Sequence, residues 1–149
     1  MAEQSLNEAE INHIRGEIEG VIKGLIEGCV TLNMEKAFDL FHDSPDFLMM
    51  GTDGSLCSYA KYLKNNVDYL NSCSAFKLKT FRGETRVLDQ ETAIYAWAYR
   101  AEATLKTGER DIVENAGASF IFKRIHGEWK AVYYHESSTP PGRVEMNKQ

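Results

Sequence analysis

Residues Glu128–Ser138 read EWKAVYYHESS, and after Thr139 the pair Pro140-Pro141 closes the run. Trp129, Ala131, Tyr133, His135 and Ser137 alternate with Lys130, Val132, Tyr134 and Glu136, the period-two pattern of a strand with one face on a core. On that alternation His135 and Glu136 point to opposite faces and cannot form a dyad. The preceding sequence has the same texture. Alternating runs occupy Phe76–Leu88, Thr92–Leu105 and Val113–His126, with breaks at Leu88-Asp89-Gln90, Thr107-Gly108 and His126-Gly127. Such short breaks join antiparallel neighbours, so the second half is expected to be a β-meander.

The first half reads as helices. Ile11, Ile14, Ile18, Val21, Ile22, Leu25, Cys29 and Leu32 recur at three- and four-residue steps, which predicts one long amphipathic helix from about Asn7 to Thr31. Ser5 with Glu8, or Asn7 with Glu10, offers a capping box at its start. Gly16, Gly20, Gly24 and Gly28 follow at steps of four on the side roughly opposite the isoleucines, each costing about 0.5–1 kcal/mol relative to alanine. Either another backbone approaches there, such as that of a second subunit, or the row is a plain solvent face. Asn33 caps a shorter helix carrying Ala37, Phe38, Leu40 and Phe41, which Ser44-Pro45-Asp46 ends. Phe47–Met50 reads as a short strand, Gly51–Gly54 as its turn, and Ser58 as the cap of a third helix through about Leu70. Helices followed by a meander predict an α+β domain in which helices cover one face of a curved sheet. One domain, 1–149, is expected, with an ordered core from about 7 to 140 and a loose tail after Thr139.

Composition narrows the function. Seventeen basic against 22 acidic residues leave a formal charge of -5, which repels phosphate backbones, so nucleic acid is not an expected partner. No apolar run reaches the length of a membrane span, and MAEQSLNEAE is polar and acidic where a leader is basic and then apolar; a cytoplasmic protein is expected. Cys29, Cys57 and Cys73 are few and scattered, as buried small hydrophobes are. His13, His42 and His126 show no metal-ligand spacing, and no metal or cofactor is expected. Phosphate-binding glycine loops and the GxSxG nucleophile motif are absent from the sequence.

Three features can carry chemistry. Tyr95, Trp97 and Tyr99 share one strand face with Ala93 and Ala101, forming either the wall of a pocket for a flat apolar ligand or packing for a core or interface. His135 is a candidate general base if it faces a hollow, and a structural histidine at a sheet edge if it does not. Asp46 lies where the second helix gives way to a strand; buried beside aromatics it would be a proton shuttle, and in the open it is a turn carboxylate.

The element order, closed by Trp129, Val132, His135 and Ser137 in a W-x-x-V-x-x-H-x-S pattern, resembles the nuclear transport factor two-like superfamily. Within it the sequence is similar to the SnoaL-like group and to the association domain of calcium/calmodulin-dependent kinase II. The resemblance implies a cone-shaped barrel: a strongly curved antiparallel sheet wrapped around the long N-terminal helix with two shorter helices, a pocket at the open end, and a homodimer through the outer face of the sheet. It implies a small-molecule-binding protein, either a cofactor-free isomerase, cyclase or lyase using Asp46 or His135 as general base, or a non-catalytic ligand-binding or association module. Tyr59, Tyr62, Tyr95, Trp97, Tyr99, Trp129, Tyr133 and Ser137 are the expected ligand-binding residues. The kinase domain's pocket arginines have no counterpart, since Arg100 falls opposite the Tyr95–Tyr99 face and Ser119 stands where an arginine is expected.

Overall fold

The computed structural model describes residues 5–144. Helix α1 (Glu8–Val30) starts at Asn7, whose side chain accepts the Glu10 amide at 2.8 Å while Glu10 accepts the Asn7 amide at 2.9 Å, so of the two candidate capping boxes the second forms. Its buried stripe is Ile14, Ile18, Ile22 and Leu25, each contributing about 1.5–3 kcal/mol of transfer free energy. The glycine row does not behave as one unit. A Cβ at Gly16, Gly20 or Gly24 meets nothing, whereas one at Gly28 runs into the backbone of Ala37. Gly28 therefore lets α2 (Met34–Phe38) cross closely over the end of α1; the four-residue steps have by then carried the glycine row round onto the buried side, where Gly28 follows Leu25.

Asn33 caps α2 by accepting the Lys36 amide, and Ser58 caps α3 (Tyr59–Asn71) by accepting the Lys61 amide. Between them lie two short strands, β1 (Leu48–Met50) and β2 (Leu56–Cys57), antiparallel to each other across the Gly51–Gly54 turn. The meander follows as β3 (Cys73–Asp89), β4 (Thr92–Leu105), β5 (Arg110–Ile125) and β6 (Glu128–Ser138). His126 and Gly127 both take positive φ, 50° and 81°, the two-residue turn whose twist matches its flanking strands. The sheet runs β2-β1-β6-β5-β4-β3, curved and unclosed, with β1 parallel to β6. Residues Gly142–Val144 form a further strand, β7, paired with Arg110–Ile112 of β5. The chain beyond Thr139 thus adds to the sheet where a loose tail was expected, and residues 145–149 of that tail lie outside the described residues.

α1 lies against β3 and β6, and the core between helices and sheet is largely aromatic. Phe41, Phe47, Tyr62, Phe120 and Tyr134 pack ring on ring at centroid separations of 4.8–6.2 Å.

Bulges decide which side chains face that core. On β3 the extra residues are Ser74, Phe81 and Leu88, on β5 one falls between Val113 and Ala116, and on β6 it is Val132, opposite Ile121–Phe122. Each shifts the inward phase by one residue. On β6, Trp129 and Ala131 face in, and beyond the bulge Tyr134 and Glu136 do so in place of Tyr133 and His135. On β5, Phe122, Phe120 and Ala118 face in, then Val113 and Asp111. Strand β4 holds its phase throughout, so Tyr95, Trp97 and Tyr99 line the inner face as the alternation predicts. Among the described residues no helix is long and apolar enough to cross a membrane.

Candidate functional site

At one end of the sheet a cavity of about 350 Å³ opens between Tyr69 of α3, Phe76 of β3, Tyr99 and Ala101 of β4, Asp111 and Val113 of β5, and Glu136 of β6. Pro141, just before β7, closes part of its rim. Both of its acids face inward because of a bulge: Asp111 through the one on β5, Glu136 through the one on β6.

The two carboxyls differ. Asp111 accepts Arg143 at 2.7 Å and the Tyr69 hydroxyl at 2.9 Å; the guanidinium holds its carboxyl below the usual range, with Tyr69 adding to the effect. Glu136 forms no ion pair with any described residue. Its Oε1 accepts the Tyr134 hydroxyl at 2.8 Å, and burial raises its pKa against the lowering effect of that bond. Around it stand Tyr62, Tyr99 and Cys29. Burial first, and the neighbouring Glu136 charge second, push both phenols up and the Cys29 thiol to about 11. The Tyr62 ring packs against Tyr134 at 5.5 Å, so the Tyr134–Glu136 hydrogen bond sits inside an aromatic core. Tyr99 is held from behind by Trp97, stacked at 3.9 Å, whose indole N–H donates to Thr80 at 2.9 Å.

Larger hollows lie elsewhere. One of about 710 Å³ runs outside α1 past Gly20 and Gly24, walled by solvated charges such as Glu35, Lys36 and Glu128. Another, of about 580 Å³, lies between α2 and α3. The acids that line them, Glu35, Asp39, Asp43 and Glu128, are exposed, and the half-buried Glu17 is paired with Arg124. The smaller cavity is the candidate site because perturbed titratable groups converge on it.

The expected site residues scatter. Asp46 is exposed, its amide bonded to Ser44 Oγ at 3.1 Å, and it borders none of the three hollows, so the proton-shuttle reading of it fails on position. His135 is exposed on the outer face of the sheet beside Ala96, Ala98 and Ser119; the Val132 bulge put it there, and it cannot serve as base in the cavity. Tyr133 is likewise turned outward, and Ser137 is exposed at the cavity's edge. Tyr59 lines the groove between α2 and α3. Tyr95 is core, its hydroxyl over Gly83, and Trp129 is core beneath the Arg124 guanidinium at 4.5 Å. Tyr99 lines the cavity itself, and Tyr62 and Trp97 support it. Arg100 points away, bound to Glu114 and Glu102, in keeping with its place on the outer phase of β4. Alternation alone misses Glu136, Tyr134 and Asp111; the adjacent bulky pair Tyr133-Tyr134 is the one local hint that the strand changes face. Among the described residues no three His, Cys, Asp or Glu side chains gather to hold a metal.

Residues 15–140 match the model of the calcium/calmodulin dependent protein kinase II association domain. No curated protein matches the sequence. Among solved structures, a Xanthomonas campestris protein assigned to that association domain is 22% identical, with 94% of each chain covered and a TM-score of 0.68. A nuclear transport factor 2-like superfamily protein from Salmonella enterica serovar Typhimurium is 16% identical over 93% of this chain and 98% of its own, with a TM-score of 0.75. The hexachlorocyclohexane dehydrochlorinase LinA-type3 of Novosphingobium barchaimii is 9% identical over 94% and 96%, also at 0.75. At these identities the structures share the fold alone. By its sequence match the chain belongs to the calcium/calmodulin dependent protein kinase II association domain family, and its curved, open sheet is the fold it shares with the nuclear transport factor 2-like protein.

Proposed function

We propose that the protein binds a small organic molecule in the cavity between Tyr99 and Glu136, with Glu136 meeting the polar end of the ligand. The supporting observation is a carboxyl without a basic partner, turned by a bulge into an aromatic hollow and steadied on one oxygen by Tyr134. A chemical-shift screen of labelled protein against one-ring fragments tests it. Shifts are expected at Tyr99, Ala101, Val113 and Ala116, all at the cavity; shifts confined to the groove along α1, or no shifts at all, refute it.

A second reading, proton transfer to and from the bound molecule, draws on the raised pKa of Glu136, which makes it a stronger base than an exposed glutamate. In that reading Glu136 takes the role expected of Asp46 or His135. Removing a general base costs roughly 10²–10⁴-fold, so E136Q would lose about that much turnover while still binding ligand. The dehydrochlorinase of the same fold is an enzyme of the class this reading needs.

We also propose that two copies pair through the outer sheet face. Ala96, Ala98 and Ser119 are exposed there, with Ile94, Ile121 and Tyr133 half-buried beside them, a small-residue apolar surface on which a second sheet can lie closely.

A further inference from the structure

The charges lining the cavity do not balance, and the imbalance points to a ligand class. Two side chains of its wall are acidic and none is basic. Asp111 is already matched, by Arg143 at 2.7 Å. Glu136 is not: Tyr134 occupies one oxygen, and Oε2 has no hydrogen-bond partner among the described residues. The carboxyl is half-buried among rings with no cation beside it, so its charged form is disfavoured until a positive group arrives at the free oxygen. The rest of the wall suits such a group. Phe76, Tyr69 and Tyr99 present aromatic surface, whose electron-rich faces attract ammonium ions. A carboxylate or phosphate ligand would meet only like charge.

Resting on the reading that this cavity is the ligand site, we propose that it recognises an organic monocation: one ammonium group, set against Glu136, carried on a flat apolar body of about one ring. The single charge follows from the single unmatched acid, and the body size from a volume of about 350 Å³, near the lower end of ligand pockets.

Calorimetric titration of the whole protein with phenethylamine, 2-phenylethanol and 3-phenylpropionate tests this, since the three share a body and differ in charge at its end. The amine is expected to bind about tenfold tighter than the alcohol, the worth of one charge-assisted hydrogen bond, and the carboxylate no tighter than the alcohol. In E136Q the amine should fall to the level of the alcohol, so that the preference for the charged probe is lost. Equal or tighter binding of alcohol or carboxylate by the unmodified protein overturns the cation inference while leaving the cavity as the ligand site, and this comparison needs no variant. An amine preference that survives in E136Q overturns it as well. If none of the three probes shifts resonances at Tyr99 or Val113, the cavity reading fails and takes this inference with it.

Discussion

Glu136 and Asp111 stand on the same cavity wall with pKa values moved in opposite directions, and the folded protein should report both. Burial raises Glu136, so its protonated form is the one the fold favours. The stability this brings is complete below the ordinary glutamate pKa and is lost as pH rises through the raised folded value. Urea unfolding of the wild type and E136Q should therefore show the variant gaining relative stability across that window as pH rises. A gap that stays constant would show that Glu136 is not buried as described. For Asp111 the sign is reversed: Arg143 lowers its pKa, so its contribution is present above the ordinary aspartate value and disappears as pH falls through the depressed one. Asp111→Asn should destabilise at neutral pH, with the deficit closing in acid. A deficit that persists unchanged in acid would place its cause in packing instead of charge.

At the level of elements, the glycines of α1 separate two roles within one row. Gly20→Ala places its methyl in open space and should stabilise by about 0.5–1 kcal/mol through helix propensity. Gly28→Ala drives the same methyl into the Ala37 backbone and should destabilise by about 1–3 kcal/mol. Chemical denaturation of the two variants decides the matter; equal effects would mean that α2 does not cross α1 at Gly28. The contrast also marks what a sequence discloses. Caps and periodicity are local, so Asn7, Asn33 and Ser58 place the helix starts, and the strand runs of the meander fall within about three residues of their observed ends. Bulges are not local. Val132 is extra only relative to Ile121–Phe122 on the neighbouring strand, and the residues from 110 to 116 change phase only relative to β4. The Tyr95–Tyr99 wall is legible because nothing interrupts β4 there. Past a bulge, every inward assignment made by counting is inverted, which is how His135 stands in for Glu136.

For the whole molecule, one sheet serves two surfaces. Its inner face makes the core and the cavity; its outer face carries Ala96, Ala98 and Ser119, exposed and uncharged. Pairing through that outer face predicts twice the chain mass in sedimentation equilibrium for the native protein, and a single chain for Ala98→Arg, with ligand binding in the cavity preserved. A native protein that sediments as a single chain, or a variant that still dimerises, would move the contact elsewhere. The β7 strand gives the cavity a further dependence on the overall fold, because Arg143 joins it to Asp111 at the rim. The central claim is that the β6 bulge buries Glu136 among tyrosines and leaves its charge unmatched. An NMR titration of the glutamate side-chain carboxyl carbons measures this most directly. Glu136 is predicted to titrate above the exposed glutamates, with the Tyr134 ring reporting the same midpoint; a Glu136 midpoint at or below theirs would contradict the account.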